Sequence, residues 1–156
     1  MPDPNITILH VDDDRAVTEL VVEIVKRRFD DLTVITAQNG EEALATLEGR
    51  DDVDCVVSDF KMPRLDGLEL LRAVRERWPD LPFILFTGQG SDEVAEQAID
   101  AGATEYLQKR PDPNSYLLLP NRVRTLVDRS RAEARFERRT RQTEVQFGVK
   151  VDTVED

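Results

Sequence analysis

Short β-type runs alternate with helical patterns five times along this chain, and this alternation limits the folds that it can adopt. The β-type runs lie at residues 6–11, 32–37, 53–58, 83–86 and 105–108. Apolar residues recur at helical spacing in 14–29, 41–47, 68–78, 93–101 and 116 to about 140. When a helix follows each strand, the chain returns to the same edge of the sheet and adds a parallel strand. We therefore predict an α/β fold, a doubly wound five-stranded parallel sheet with helices on both faces.

Charged residues follow three of these runs, at the point where each run ends. Asp12, Asp13 and Asp14 follow the first run, Asp59 follows the third and Lys109 follows the fifth. The carboxyl ends of parallel strands meet at one edge of the sheet, so these side chains should converge there. Carboxylates that lie close together repel each other, and such a cluster is expected to hold a divalent cation, a lysine ammonium group, or both.

The composition excludes several classes of function. The chain carries 32 acidic and 21 basic residues, a net charge of −11, which argues against direct contact between the folded body and nucleic acid. Arginine outnumbers lysine by 17 to 4, and together with the acid excess this predicts a salt-adapted, halophilic source. No apolar stretch approaches the roughly 20 residues that span a bilayer, and the N-terminal MPDPN lacks the features of a signal peptide. We predict a soluble protein with no membrane partner.

Cysteine and histidine each occur once. Cys55 lies in the apolar run VDCVVS, which predicts a buried, inert thiol and a reducing, cytoplasmic setting. His10 lies within the first strand, where a packing role is favoured. One cysteine and one histidine cannot supply the ligands of a Cys/His zinc site.

Four motifs carry a resemblance to a known family. They are VDDD at 11–14, DFKMPRLDG at 59–67, Thr87-Gly88 and YLQK at 106–109. In order and spacing they resemble the receiver domain of two-component response regulators, and the match covers residues 6 to about 129. The resemblance implies a flavodoxin-like sheet with strand order 2-1-3-4-5, and the helical pattern from 116 to about 140 predicts an extended C-terminal helix. We divide the chain into a receiver domain, 1–129, and a helical linker with the start of an output domain, 130–156.

The resemblance implies a role for each carboxylate. Asp59 would accept a phosphoryl group from the phosphohistidine of a partner histidine kinase. Asp12, Asp13, Asp59 and the backbone carbonyl of Lys61 would hold Mg²⁺, whose charge offsets that of the transferring group. Asp14 has no such role, and helix capping is favoured for it over an indirect, water-mediated contact with the metal.

Three further residues complete the site that the resemblance implies. Lys109 would pair with Asp59 and then with the phosphoryl oxygens as a compact positive charge. Thr87 would donate its hydroxyl hydrogen to the same oxygens. Tyr106 resembles the family's switch aromatic, with a packing residue of an edge strand as the alternative. The family usually has proline directly after the lysine, whereas here Arg110 stands between them, so the loop that orients Lys109 departs from the family pattern.

The predicted function is a phosphorylation-activated signalling switch, in which phosphoryl transfer to Asp59 reshapes the surface of the fourth helix, fifth strand and fifth helix. The expected partners are a histidine kinase and a downstream output domain or protein, and a homodimer through that surface is one further assembly. No turnover of small substrates is expected. Alternatives are a module within a larger hybrid sensor kinase or transducer, and a receiver that binds partners without phosphorylation. A magnesium-dependent aspartate phosphatase would need an acid at the position of Lys61.

The C-terminal segment differs in character from the rest of the chain. Residues 128–142 carry six arginines and three acids, and a solvated helical extension is favoured there over a nucleic-acid-binding arm. After them, Val145, Phe147, Val149 and Val151 alternate at strand spacing with no partner strand in this chain. Such a strand could pair with another copy, stay disordered or open a further domain, and we favour the last.

Overall fold

The computed structural model describes residues 5–88, 91–112 and 114–147, which form an alternating series of strands and helices. The strands are β1 (Ile6–Val11), β2 (Leu32–Ala37), β3 (Cys55–Ser58), β4 (Phe83–Thr87) and β5 (Glu105–Gln108). The helices are α1 (Arg15–Arg28), α2 (Gly40–Gly49), α3 (Gly67–Arg77), α4 (Asp92–Asp100) and α5 (Asn114–Phe147). Each strand precedes its helix, as the sequence pattern predicted.

The strands pair in parallel in one sheet with the order β2-β1-β3-β4-β5. β3 lies at the centre, and all its residues are buried because helices cover both faces of the sheet. The strand order reverses between β1 and β3, and a doubly wound sheet opens a crevice there, at the carboxyl ends of its strands. The predicted doubly wound sheet of order 2-1-3-4-5 is confirmed.

Alternate residues of each strand point to opposite faces of the sheet and build two separate cores. In β1, Leu9 and Val11 belong to the core beneath α2 and α3. Ile6 and Ile8 belong to the core beneath α1 and α5. Both cores extend across the sheet, so packing on two faces holds the strand ends in register with one another.

Side-chain caps start the helices close to the carboxyl edge of the sheet. Asp14 caps α1, because its carboxylate accepts hydrogen bonds from the backbone N–H groups of Ala16 and Val17. Asp66 and Glu69 form a reciprocal capping box at the start of α3. The prediction that Asp14 caps a helix is confirmed.

Helix α5 is longer than its sequence pattern indicated, and it overturns one prediction. It begins at Asn114, continues through Pro120 and ends at Phe147. The strand pattern that begins at Val145 does not produce a strand over 145–147, because these residues are helical. A helix that has already formed pairs each added backbone group internally, whereas a lone strand leaves its backbone unpaired. Residues 148–156, the rest of that predicted strand, lie outside the described part of the chain.

Helix α5 is held on the body by an apolar stripe and by ion pairs. The buried residues of the stripe are Leu119, Val123, Leu126 and Val127. The ion pairs join Arg122 to Glu105, Arg124 to Asp31 and Arg131 to Asp54. Beyond these contacts the side chains of residues 132–141 are exposed, so the helix leaves the body there. Among the described residues, no helix combines the length and the apolar content that a bilayer crossing requires.

Candidate functional site

Three carboxylates converge at the carboxyl edge of the sheet, where β1 and β3 end. One carboxylate oxygen each from Asp12, Asp13 and Asp59 lies within 4.8 Å of the other two. Asp12 is buried, Asp59 keeps 12% of its side chain exposed, and Asp13 is exposed. Oxygen donors of this kind are the ligands that Mg²⁺ and Ca²⁺ prefer. The cluster therefore has the donor set of a divalent cation site with one side open to solvent.

Strand register brings these residues together although they are distant in sequence. Val11 pairs with Ser58 at the ends of β1 and β3, so Asp12 and Asp59 follow as neighbours. The backbone N–H of Asp59 donates to the carbonyl of Val11 at 2.9 Å, which extends the ladder by one bond. The convergence of the predicted carboxylates thus follows directly from parallel pairing of the central strands.

Asp12 is the most tightly held member of the cluster. Its Oδ1 accepts a hydrogen bond from the backbone N–H of Asp14 at 2.9 Å. Its Oδ2 accepts one from Nζ of Lys109 at 2.7 Å. A buried carboxylate needs such partners, because removal from water without compensation is costly.

Asp59 is held on one side and accessible on the other. Its Oδ1 accepts a hydrogen bond from the backbone N–H of Phe60 at 2.8 Å, and its Oδ2 lies 3.6 Å from Nζ of Lys109. Gly67, the first residue of α3, packs so closely that a Cβ there would lie 2.2 Å from the carbonyl oxygen of Asp59. Only glycine permits this approach, which fixes the backbone behind the Asp59 carboxylate.

Lys109 bridges two of the carboxylates, but its shorter contact is not the expected one. Pairing with Asp59 was predicted, whereas the hydrogen bond is made to Asp12 and the Asp59 contact is a longer ion pair. The fully buried Asp12 has the greater need of a cation, because no solvent stabilises its charge. The Lys109 ammonium also lies 5.7 Å from the centre of the Phe86 ring, within the range of a cation–π contact.

The inserted Arg110 does not divert Lys109 from the site. The backbone N–H of Lys109 donates to the carbonyl of Thr87 at 3.0 Å, so the strand pairing continues through the lysine. After it, the Ser115 hydroxyl bonds to the N–H of Arg110 and to the carbonyl of Asp112, which closes the loop before α5. The described residues contain no cis peptide bond. The extra residue is thus absorbed after the lysine, within the loop.

Thr87 and Tyr106 lie on β4 and β5, the two strands that follow β3 across the sheet. Thr87 is the buried last residue of β4 and pairs in register with Gln108. Tyr106 packs against the core beneath α2 and α3, and its buried hydroxyl has no hydrogen-bond partner in the described part of the chain. Next to Thr87, a Cβ at Gly88 would only make ordinary contact with Lys109, at 3.6 Å, so protein packing alone does not demand glycine there.

Lys61 lies at the open side of the cluster. It is exposed, and with Asp13 and Asp66 it lines a hollow of about 450 Å³ that lies next to the carboxylates. The predicted contribution of its backbone carbonyl to a metal site remains a prediction. The hollow is formed mainly by the loop between β3 and α3, which also carries Asp66 of the capping box.

Both single-copy reactive residues are buried, as predicted. Burial, and after it the positive charge of Lys109, lowers the pKa of His10 from 6.5 to about 4, while Asp59 acts in the opposite direction. His10 is therefore neutral near pH 7. Burial raises the pKa of the Cys55 thiol, which keeps it protonated and inert. Sequence reasoning did not single out Phe86, whose contact with Lys109 has no signal in the apolar run FILFT.

Comparison with known proteins identifies the family. The sequence model for the response regulator receiver domain matches residues 8–118. The chain is 42% identical over 125 residues to the response regulator MprA of Mycolicibacterium vanbaalenii. The aligned residues make up 80% of this chain and 52% of the relative. The chain is 40% identical over 129 residues to MprA of Mycobacterium ulcerans, with 83% and 53% covered. The chain thus spans about half the length of these relatives.

Solved structures agree with the sequence comparison. A CheY-like receiver domain protein from Methanospirillum hungatei superposes with a TM-score of 0.73 at 29% identity and covers 83% of this chain and 98% of that one. A receiver domain protein from Clostridium thermocellum gives a TM-score of 0.72 at 27% identity, with 81% and 98% covered. With the strand order and the strand-end carboxylates described above, these matches show that the chain belongs to the response regulator receiver domain family.

Proposed function

We propose that this chain is the phosphoacceptor module of a two-component phosphorelay, with Asp59 as the residue that receives the phosphoryl group from a partner histidine kinase. One observation carries the proposal. Asp59 is the member of the carboxylate cluster that is partly exposed, and the Lys109 ammonium lies 3.6 Å from its Oδ2. A nucleophile needs this combination of access and a nearby positive charge.

In the proposed transfer, the phosphorus–nitrogen bond of a phosphohistidine breaks while a carboxylate oxygen of Asp59 forms a bond to phosphorus. The imidazole leaves with the electron pair. Lys109 and Thr87 would donate hydrogen bonds to the phosphoryl oxygens, which carry the charge during transfer. The backbone N–H of Phe60 orients the carboxylate through Oδ1, leaving Oδ2 on the side of Lys109.

Asp12, Asp13 and Asp59, together with the backbone carbonyl of Lys61, are the residues that we propose to hold Mg²⁺. A divalent ion at this place would neutralise charge on the phosphoryl oxygens. The fit rests on the three carboxylate oxygens within 4.8 Å of one another. Without an ion, a single lysine faces three carboxylates, so the cluster has unbalanced negative charge that a cation would relieve.

Phosphorylation would act on the rest of the molecule through Thr87 and Tyr106. In the state described here the Tyr106 hydroxyl is buried without a partner in the described residues, which costs about 1–3 kcal/mol. A second arrangement of the Tyr106 side chain, in which the hydroxyl contacts water, would avoid this cost. A shift of Thr87 toward the phosphoryl group would favour it and change the surface of α4, β5 and α5, which we propose as the surface read by a partner.

We propose residues 1–129 as the receiver unit and 130–156 as a helical linker together with the start of an output domain, within the cytoplasm. Support comes from the match to residues 8–118, from the exposed side chains of residues 132–141, and from the greater length of the relatives. The proposed receiver is phosphorylated once per signal and does not turn over small substrates. A module of a hybrid kinase or transducer would use the same site.

Incubation with acetyl phosphate and Mg²⁺, followed by intact-mass measurement, tests the proposal. The wild type should gain one phosphoryl group, and Asp59→Asn should gain none. Asp14→Asn is the matched control, because asparagine still caps α1 and the residue lies outside the proposed metal set, so it should be modified like the wild type. EDTA should abolish the modification. A wild type that stays unmodified, or equal modification of Asp59→Asn, would contradict the assignment.

A further inference from the structure

Two aromatic rings connect Lys109 to helix α5 on the face of the sheet that α1 and α5 cover. The Lys109 ammonium lies over the ring of Phe86, 5.7 Å from its centre. The Phe86 ring in turn meets the ring of Tyr116 near the start of α5, with ring centres 5.5 Å apart and ring planes at 86°. Lys109, Phe86 and Tyr116 thus form a continuous row of contacts from the carboxylate cluster to the start of α5.

The Phe86 ring has little freedom to move within this row. Phe86 is the next-to-last residue of β4, is 1% exposed, and packs in the core beneath α1 and α5. Near-perpendicular aromatic pairs at this distance are favourable. The ring of Tyr116, which is partly buried against the same core, therefore limits rotation of the Phe86 ring. The orientation of Phe86 toward Lys109 depends on this core and on the packing of α5.

The charges around Lys109 show what a contact with a ring can supply. The ammonium lies closer to the buried Asp12, at 2.7 Å, than to Asp59, at 3.6 Å. The face of an aromatic ring attracts a cation without carrying a net charge, and the attraction is stronger where solvent is excluded. Only 12% of the Lys109 side chain is exposed. Phe86 can therefore hold the ammonium in place without competing with a phosphoryl group as a further carboxylate would.

This support is separate from Tyr106. Tyr106 packs against the core beneath α2 and α3, whereas Phe86 and Tyr116 pack in the core beneath α1 and α5. The backbone of Lys109 is fixed by a further contact, because its N–H donates to the carbonyl of Thr87 at 3.0 Å. The end of the Lys109 side chain, which carries the charge, is the part that lies over Phe86.

We propose that Phe86 and Tyr116 are positioning residues for phosphoryl transfer. Phe86 holds the Lys109 ammonium beside Asp59, and Tyr116 holds the ring of Phe86 in the orientation that this requires. Both act through Lys109, and neither is assigned a contact with the phosphoryl group. This role rests on the proposed function of Asp59 as the phosphoacceptor. Because Tyr116 belongs to α5, the rate of transfer then depends on how that helix packs on the body.

NMR can follow the position of the Lys109 side chain in the unmodified protein. Protons over an aromatic ring resonate at lower frequency because of the ring current. The chain has only four lysines, so their side-chain methylene signals are few, and Lys109→Arg identifies the signal of Lys109. Phe86→Met keeps an apolar, adaptable side chain and removes the ring, so it should move this signal toward those of the other lysines. Phe83→Met, the matched control, changes a buried phenylalanine of β4 in the other core and should leave the signal unchanged.

The rate of modification by acetyl phosphate at saturating Mg²⁺, followed by intact mass, measures the consequence for transfer. Phe86→Met should lower this rate about three- to tenfold, the size expected for the loss of one partly desolvated cation–π contact, whereas Phe83→Met should stay within about twofold of the wild type. Tyr116→Leu should lower the rate and shift the Lys109 signal, and Tyr116→Phe, which keeps the ring, should match the wild type. Because Tyr116 is only partly buried, this second pair decides the question if Phe86→Met does not fold.

Failure of the positioning role and failure of the phosphoacceptor assignment give different results. A Lys109 signal that does not respond to Phe86→Met, or a Phe86→Met chain modified at the wild-type rate, would overturn the positioning role and leave Asp59 as the phosphoacceptor. An equal fall in rate for Phe83→Met would do the same, because the effect would then come from a weakened core. A wild type that stays unmodified would contradict the assignment of Asp59, and with it a positioning role in transfer.

Discussion

Removing the charge of Asp59 should make the fold more stable when no divalent cation is present. Asp59, Asp12 and Asp13 each place a carboxylate oxygen within 4.8 Å of the others, and Lys109 supplies one positive charge among them. The substitution Asp59→Asn keeps the size and shape of the side chain, so packing is preserved. The balance of charge in the cluster is what changes.

Coulomb's law gives the size of the effect. At an effective dielectric constant of about 20, two like charges 4.8 Å apart repel by about 3.5 kcal/mol. The attraction between Lys109 and Asp59, whose atoms are 3.6 Å apart, is about 4.6 kcal/mol on the same basis. Asparagine loses the attraction and both repulsions, and solvent screens part of the repulsion from the exposed Asp13. The free energy of unfolding should therefore rise by about 0.5–2 kcal/mol.

Urea unfolding in buffer with EDTA measures this difference. The control is Asp14→Asn, which should remain within about 0.5 kcal/mol of the wild type because asparagine also caps helices. Mg²⁺ should then stabilise the wild type more than Asp59→Asn, since only the wild type keeps all three carboxylates of the proposed metal site. An Asp59→Asn chain less stable than the wild type in EDTA would refute the claim that repulsion within the cluster outweighs its pairing with Lys109.

Three further predictions concern the local structure. Because burial lowers the pKa of His10 from 6.5 to about 4, the unfolded chain takes up a proton first as the pH falls. Stability should drop by up to about 3 kcal/mol between these pH values, and His10→Val should flatten that part of the profile in urea unfolding at stepped pH. Asp14→Ala should lower the free energy of unfolding by about 1 kcal/mol, measured by thermal unfolding. A change near zero would show that the Asp14 cap does not stabilise the fold. Arg64 has a positive φ of 69°, so Arg64→Gly should raise stability by about 0.5–1 kcal/mol, whereas Arg64→Ala should not.

Much of the candidate site was predictable because its members lie at strand ends. A run such as CVVS, apolar at every position before the serine, belongs at the centre of a parallel sheet, and Asp59 directly after it must emerge at the carboxyl edge. The same reasoning brought Asp12 and Lys109 to that edge. Capping by Asp14 was also predictable, since a cap depends on residues only two or three positions away.

Other features were not predictable, because they depend on which hydrogen-bond partners a segment finds in the folded chain. Alternation at Val145 and Phe147 is a strand pattern, but the helix that arrives from Asn114 satisfies its own backbone and continues through those positions. The extra Arg110 changes the loop that orients Lys109, and the sequence did not show that hydrogen bonds of Ser115 within this loop absorb the insertion. The salt-adapted source remains a prediction.

The sequence by itself determined the order of the elements, the parallel sheet and the edge at which the charged residues meet, because periodicity and strand ends are local properties. Tertiary structure decided which carboxylate holds the lysine. Lys109 and Asp12 are 97 positions apart, and their 2.7 Å hydrogen bond depends on how deeply each carboxylate is buried once β1, β3 and β5 lie in one sheet. Burial exists only in the folded chain, so no spacing in the sequence could have ranked Asp12 above Asp59.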